Sequence, residues 1–399
     1  MSGRMIDIAI VGGGLSGGLV ALALHRAQPE MRLALLEASD VLGGNHRWSW
    51  FASDLDEAGT ALLAQFRKNE WDEGYDVFFP AHARHLRAPY RSLASTDFDA
   101  GLRRELPGDA IRTQCDVVSL DARGVTLADG ERIEARSVID CRGWDPVGHF
   151  KGGWQVFMGR HMRTHVPHRI DRPVIMDATV EQHGAYRFVY VLPLGVDELF
   201  IEDTYYADSP TLDRSALSGR IDRYARAQGW DGDILGGETG VLPVITGGNF
   251  RAYQDATRVT GVAMAGSRGG FVHPLTSYTL PWAVETALAI ASEAKLPGEQ
   301  LAAMLEARAR NHWSQTGFYR MLGTMLFAAA QPDLRYRIFE RFYRLPEGLI
   351  ENFYAARSTL GERMRVLAGR PPVPVHRAMG ALLSGAAPLS ANTTMQDQA

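Results

Sequence analysis

The strand, glycine turn, helix and strand at the start of the chain restrict its fold more than any other stretch. Ile6-Asp7-Ile8-Ala9-Ile10-Val11 reads as a short buried strand and runs directly into Gly12-Gly13-Gly14-Leu15-Ser16-Gly17. Gly12, Gly14 and Gly17 stand in the spacing of a dinucleotide-binding turn. Leu19 to Ala27 favours a helix, and Arg32 to Leu36 makes a second strand ending at Glu37, twenty residues beyond Gly17. Each part has a physical duty: Gly12 permits the tight turn, Gly14 lets the backbone approach a pyrophosphate, and Gly17 lets the helix pack closely on the strand. The helix N-terminus offers unpaired N–H groups to phosphate, and Glu37 can accept hydrogen bonds from a ribose 2′-hydroxyl. The order of these parts predicts an α/β protein with a Rossmann-type nucleotide-binding domain.

A chain of 399 residues is long enough for two interlocked domains. Its net charge of -4 and its short basic runs exclude the concentrated basic stripe of a nucleic-acid binder, so no nucleic-acid partner is expected. Cys115 and Cys141 are too few for a disulfide framework, which fits a reducing cytoplasm. Met1 to Met5 lead into the first strand without the cationic and apolar regions of a secretory signal. No run of about 20 apolar residues could span a bilayer, so any membrane contact is expected to be peripheral.

Beyond Glu37, Gly43 and Gly44 centre a loop through Asn45, His46, Arg47, Trp48, Ser49 and Trp50, and they allow its backbone to approach a cofactor. Residues 51–94 read as an insertion, with a helix near 57–68 and a strand over 75–79. A helix is predicted from Ser95 through Leu106, then a small β-meander over 116–133. The strand from Ala135 that ends at Cys141-Arg142-Gly143 is expected to return beside the first strand, with Gly143 at the cofactor. Residues 151–255 are rich in strands, at 173–177, 186–194, 198–204 and 240–244, with a helix over 215–227. Such a sheet with helical cover suits a long apolar ligand. Val262 to Phe271, containing Gly266, resumes the first domain and leads to a helix over 282–294. The chain is then mainly helical to about 365, Pro371 to Pro374 interrupt it, and the end reads as disordered. The predicted division is therefore a discontinuous cofactor domain (1–50, 95–150 and 256–297), a sheet-rich substrate domain (51–94 and 151–255), a helical, membrane-contacting region (298–387) and a tail (388–399). His161, His165 and His168 have helical spacing, but Pro167 argues against a helix there. They read as solvated, and no metal site is expected.

Taken together these segments resemble the bacterial lycopene β-cyclases, within the FAD-dependent oxidoreductase superfamily. The resemblance rests on the glycine turn, on Gly43-Gly44-Asn45-His46-Arg47-Trp48-Ser49, and on the segments from Ile175 to Val180 and Tyr186 to Tyr190. It rests also on Ile201-Glu202-Asp203-Thr204-Tyr205-Tyr206, Phe271-Val272-His273-Pro274 with Ser277-Tyr278, and Pro371 to Pro374. Ser267 departs from the wider flavoprotein pattern, in which many relatives carry Asp for the ribityl chain. The resemblance implies FAD, active when reduced, held by Gly12, Gly14, Gly17, Glu37, Gly43, Gly44, Gly143 and Gly266, with NADPH as reductant. It implies lycopene and other acyclic carotenoid ends as substrates, β-carotene as product, and a cytoplasmic protein on the inner face of the cell membrane.

Forming a β-ionone ring requires a proton at C2 of the linear end group, closure of the C5=C6 bond onto the C1 cation, and loss of a proton from C6. No electrons are gained or lost, so the chemistry needs an acid, cation stabilisation and a dry pocket. Glu202 is the expected acid: in a strand it faces away from Asp203, and burial would keep it protonated. Asp203 is expected either to orient this segment or to take the final proton, and Asp177 is a weaker supporting candidate. On the residues alone, ordinary strand-end acids are the better reading of the pair; the resemblance reverses that order and places the essential carboxylate here. Trp48, Trp50, Tyr190 and Tyr205 are candidates for cation–π stabilisation. The aromatic and apolar residues from Trp313 to Phe327, ahead of Arg335, Arg337, Arg341 and Arg344, suit an anionic membrane surface and equally suit a packed helix. The rival readings are an FAD-dependent carotenoid desaturase or monooxygenase, and a non-catalytic carotenoid-binding protein.

Overall fold

The computed structural model describes residues 5–143, 148–369, 375–384 and 387–389. β1 (Ile6–Val11), α1 (Leu15–Ala27) and β2 (Leu33–Leu36) form the unit expected from the glycine turn. β3 (Arg47–Phe51), α2 (Glu57–Leu63), β4 (Asn69–Trp71), β5 (Tyr75–Phe79), β6 (His82–Leu86) and β7 (Tyr90–Ala94) follow, then α3 (Ser95–Glu105). The chain returns through β8 (Ile111–Arg112), β9 (Val117–Asp121), β10 (Gly124–Leu127) and β11 (Arg132–Asp140). β12 (Phe150–Thr164), β13 (Val174–Asp177), β14 (Tyr186–Pro193), β15 (Glu198–Ala207), α4 (Arg214–Ala227) and β16 (Gly232–Gly248) come next. α5 (Phe250–Thr257) and β17 (Val262–Met264) lead to the helices α6 (Leu280–Ser292), α7 (Gly298–Gln315), α8 (Gly317–Thr324), α9 (Tyr336–Phe342), α10 (Glu347–Tyr354), α11 (Leu360–Leu367) and α12 (Val375–Ser384).

In the first sheet, β8, β2, β1, β11 and β17 lie in that order and run parallel, while β10 and β9 extend β11 as an antiparallel meander. A parallel sheet is covered on both faces, which is why β1 and β2 are almost wholly apolar. α1 is buried from Leu15 to Leu24, enclosed by the sheet, α3 and α6, so it shows no polar face until His25 and Arg26.

The second sheet has the order β16-β12-β15-β14-β13-β5-β6, antiparallel except between β13 and β5. α4 covers one face with Leu217, Ile221 and Ala225, and the C-terminal helices pack over the other through Tyr319, Leu326, Tyr343 and Phe353. Its two longest strands, β12 and most of β16, have no counterpart in the sequence reading, which placed a strand only over 240–244. Glycines 152, 153 and 159 and the charged Lys151, Arg160 and Arg163 break the apolar alternation of β12.

Three other expectations are corrected. α2 stops at Leu63 rather than near Lys68, because Asn69 to Trp71 pair with β7 in a small third sheet, β3-β7-β4. At the start of the expected tail, Pro388 bridges Lys151 and buried Leu389 donates its N–H to the Phe150 carbonyl at 3.0 Å, while 390–399 lie outside the described residues. His161 lies in β12 and bonds Glu198 at 3.1 Å, so helical spacing has no meaning there. His168 is buried rather than solvated; its Nδ1 accepts from Ile170 N–H and its Nε2 bonds the Gly195 carbonyl at 2.7 Å. Pro371 to Pro374 lie outside the described residues.

Candidate active site

The glycine turn is built as a backbone cradle. Gly12 has φ +100° and donates to the Leu36 carbonyl at 2.8 Å. A Cβ on Gly17 would stand 1.9 Å from the Gly12 carbonyl oxygen, so the turn and helix meet only because residue 17 is glycine. A Cβ on Gly14 would meet no atom within 4 Å, and the N-terminus of α1 at Gly14 has no side-chain cap. The open side of the turn therefore presents uncapped N–H groups to the cavity, as an anion site requires. Glu37 reaches back, its Oε2 accepting from Gly13 N–H at 2.7 Å. The Gly43 N–H donates to the Gly13 carbonyl at 2.9 Å, which ties the second glycine loop directly to the first.

One cavity of about 1700 Å³ takes in this cradle, with Gly12, Gly14, Glu37, Gly43, Gly44, Gly143 and Gly266 on its wall. Gly17 lies behind the wall. Gly266 has φ +61° and packs against Ser16. Beside it, buried Asp140 at the end of β11 binds Arg142 at 2.8 Å and Arg268 at 2.7 Å, fixing the two chain segments that carry Gly143 and Gly266. These residues fit FAD: an acid at the ribose position, open glycine backbone at the pyrophosphate position, and a glycine-lined slot leading inward.

The same cavity continues to the second sheet, where Glu202 on β15 and Glu238 on β16 both stand opposite Gly159 of β12, one from each side. The two carboxyls face the same chamber close enough to interact with each other, and Arg47 stands beside Glu238. Thr204 Oγ1 donates to Glu202 Oε1 at 2.6 Å. Burial pushes the Glu202 carboxyl up to about 7. Burial, with the like charge of Glu202 behind it, holds Glu238 well above the usual carboxylate range. Trp48 and Tyr190 also line this chamber, and the Arg47 guanidinium lies over the Phe200 ring, 5.4 Å from its centroid.

Asp203 is not brought to Glu202. It points to the opposite face of the sheet, fully buried, where it accepts from Arg187 at 2.6 Å and from the Tyr205 hydroxyl at 2.9 Å. Of the two roles open to it, the base at the substrate has no path to the chamber, and the orienting role fits. Asp177 is likewise committed, to Thr179 and to the Tyr224 hydroxyl. Trp50 sits in the core beneath the first sheet, and Tyr205 lies with Arg187 and Arg220 outside the chamber. Glu238 was missed by the sequence reading. A single acid between Gly237 and Gly240 in a strand ending Val-Leu-Pro-Val was the available signal, but its partner becomes visible only through the register of β12.

Past Tyr190 the chamber meets an apolar tunnel of about 300 Å³. Tyr190 and Tyr278 line both spaces, and their hydroxyls bond each other at 3.1 Å and both bond Tyr90. The tunnel runs under α8, α9 and α10, past Phe188, Met325, Phe339 and Phe342, to Leu367 and Met379. The segment from Trp313 to Arg344 is thus packed structure more than surface. Tyr319 is fully buried, Arg320 stacks on Trp313 at 3.7 Å, and buried Arg335 is held by Asp208 at 2.8 Å. Exposed apolar residues lie further on, at Leu360, Met364 and Leu367 of α11 and at Met379 and Leu383 of α12. No helix among the described residues is long and apolar enough to cross a membrane.

A parallel sheet with a glycine turn at its switch point, a second sheet roofing the same cavity, and helices closing the far side define the FAD-dependent oxidoreductase class of fold. A solved geranylgeranyl bacteriochlorophyll reductase-like protein from Thermoplasma acidophilum superposes with a TM-score of 0.63 at 12% identity, covering 95% of this chain and 99% of that one. A solved 2-methyl-3-hydroxypyridine-5-carboxylic acid oxygenase gives 0.55 at 15% identity, covering 91% and 98%. Within that class the chain belongs to the lycopene cyclase family, whose profile matches residues 7–380. It is 41% identical to the lycopene β-cyclase of Pseudescherichia vulneris over 95% of this chain and 98% of that protein.

Proposed function

We propose that this protein is a lycopene β-cyclase: an isomerase that closes the linear end groups of lycopene to β-ionone rings, giving β-carotene through γ-carotene without net oxidation. The observation that carries this reading is the position of Glu202. A carboxyl raised to about 7 faces a chamber reached by the nucleotide cradle on one side and by an apolar tunnel on the other. The proposed acid is Glu202, which would deliver a proton to C2 of an end group entering past Tyr190. The tunnel walls would exclude water from the tertiary cation and hold the polyene by apolar contact alone, because the substrate has no polar handle. Tyr190 and Trp48 would present ring faces to the cation, each worth about 0.5–2 kcal/mol.

FAD is the proposed cofactor, held by Gly12, Gly14, Glu37, Gly43, Gly44, Gly143 and Gly266, with Gly17 supporting the turn. When bound and reduced, it would supply negative charge to the chamber, an effect strengthened in a low-dielectric site. NADPH is proposed only as the source of its electrons. The division into a discontinuous cofactor unit (1–50, 95–150 and 256–297), a sheet-rich substrate unit (51–94 and 151–255) and a C-terminal helical unit is part of the same proposal. So is peripheral attachment to the cytoplasmic face of the membrane, now through α11 and α12, whose exposed apolar residues include Leu367 and Met379 at the tunnel mouth.

The test is conversion of lycopene in liposomes by purified protein carrying reduced FAD. β-Ring product from the wild type and none from Glu202→Gln, with equal flavin content, is the expected result. Equal ring formation by both proteins would remove Glu202 from the acid role.

A further inference from the structure

Glu238 has no counterpart in the chemistry described so far, yet it is the carboxyl nearest the acid. Three features set it there. The register puts Glu202 and Glu238 on either side of Gly159, on the same face of the sheet. Gly159 between them carries no side chain of its own, and the space its Cβ would take is filled by the Phe200 ring, 2.2 Å away, which lines the same chamber as both carboxyls. The cofactor loop grips this end of β16, with Asn45 Nδ2 donating to the Gly237 carbonyl at 2.8 Å and Arg47 beside the Glu238 carboxyl.

We propose that Glu238 is a positioning carboxyl that shares a proton with Glu202 and keeps the acid loaded while the chamber is empty of substrate. This rests on the cyclase reading and goes beyond it. Two carboxylates forced together in a dry site cannot both ionise at ordinary cost, so the pair retains a proton that an isolated carboxyl would have lost. Arg47 draws the Glu238 carboxyl down, but burial and the charge of Glu202 outweigh it, so the pair's proton is held between the two carboxyls and can pass from Glu238 to Glu202. The other ionisable groups around the pair are Asp97 of α3 acting through Arg47, Asp203 behind Glu202 on its own strand, and His46 and Tyr190 on the chamber wall. Burial lowers His46, so it adds no positive charge.

The step moves one proton and no electrons. The O–H of Glu202 breaks, a C–H forms at C2, and the pair is left as two carboxylates facing the new cation. The proton lost from C6 balances the one delivered, and the pair is reloaded for the next end group. Glu238 would thus also add a negative charge opposite the cation at the moment it forms.

The test is the pH dependence of lycopene conversion in liposomes with chemically reduced FAD, for wild type, Glu238→Gln and Glu238→Asp. Glu238→Gln keeps the volume and hydrogen bonding but removes the second charge. The alkaline limb of its profile should move to lower pH by about one unit or more, while Glu238→Asp leaves the limb near its wild-type position. In parallel, infrared difference titration of the buried carboxylic C=O stretch reads the same proton without turnover. It should show a protonated carboxyl persisting to higher pH in the wild type than in Glu238→Gln. Superimposable profiles and superimposable infrared titrations would overturn the proposal, as would a uniform loss of rate with an unmoved limb. A wild type that forms no ring product would instead overturn the cyclase reading, and the infrared titration would then still decide the pair.

Discussion

The two ends of the large cavity are built by different means. At the nucleotide end the wall is backbone: Gly12 turned to φ +100°, Gly14 open to the cavity, Gly43 tied to Gly13 by a main-chain bond, and one side chain, Glu37, folded back onto the turn. At the chamber end the wall is side chains, contributed by β3, β14, β15 and β16 and set by a register in which Gly159 faces both Glu202 and Glu238. In the proposed reading the first end would recognise charge and shape through main-chain N–H groups, and the second would control a proton through the burial and charge of a few carboxyls.

The sharpest way to separate the two ends is to disable one and leave the other whole. Glu202→Gln should lower lycopene cyclisation by about 10³-fold, within the range for loss of a general acid, while the flavin absorbance of the purified protein is unchanged. Simultaneous loss of flavin would show that the two ends are not independent. Gly14→Val makes the converse change. Its side chain fills space that is open here, so thermal unfolding without cofactor should match the wild type. FAD affinity should fall about 100-fold, about 3 kcal/mol, through lost charge-assisted bonds. Gly17→Ala, by contrast, should destabilise the apoprotein itself, because its Cβ collides with the Gly12 carbonyl.

How far each end could be read from the sequence follows from this difference. The cradle is local: turn, helix and acid lie within β1 to β2, and every glycine expected at the cofactor except Gly17 lies on the cavity wall, with Gly17 in the packing role its spacing implied. The chamber is not local. Glu202 was singled out, but the strand that brings Glu238 to it, β12, is disguised by glycines and arginines. Asp203, its neighbour in sequence, is turned away by strand alternation and neutralised by Arg187. Arg335 looked like a surface residue because its partner, Asp208, is distant in sequence.

A further substitution tests a residue that belongs to neither end. His273 is fully buried; its Nδ1 accepts from Leu275 and Thr276 N–H groups, which leaves Nε2 to donate to the Phe353 carbonyl at 3.2 Å. Burial depresses its pKa to about 3. The unfolded chain takes up a proton below about 6.5 that the folded state refuses, so this site lowers stability as pH falls from about 6.5 towards 3. His273→Ala should cost about 3 kcal/mol in urea unfolding at neutral pH, and His273→Gln should flatten the acid loss. Unchanged acid sensitivity in His273→Gln would assign that loss elsewhere.

The smallest effect is expected at the tunnel mouth. Replacing Leu360, Met364 and Leu367 together with Gln should weaken vesicle binding about tenfold and slow conversion of membrane-embedded lycopene. The rate on detergent-dispersed lycopene should stay near that of the wild type. An equal loss in both assays would place these residues in the fold and not at the membrane.

The central claim, that a flavin fold here performs acid chemistry without redox turnover, is tested most directly by product mass. Lycopene in liposomes would be incubated anaerobically with protein whose FAD has been chemically reduced beforehand, with no nicotinamide present. β-Carotene of unchanged mass, formed over many turnovers per flavin, is the predicted result. A product differing by hydrogen or oxygen, or no conversion until an electron acceptor is added, would contradict it.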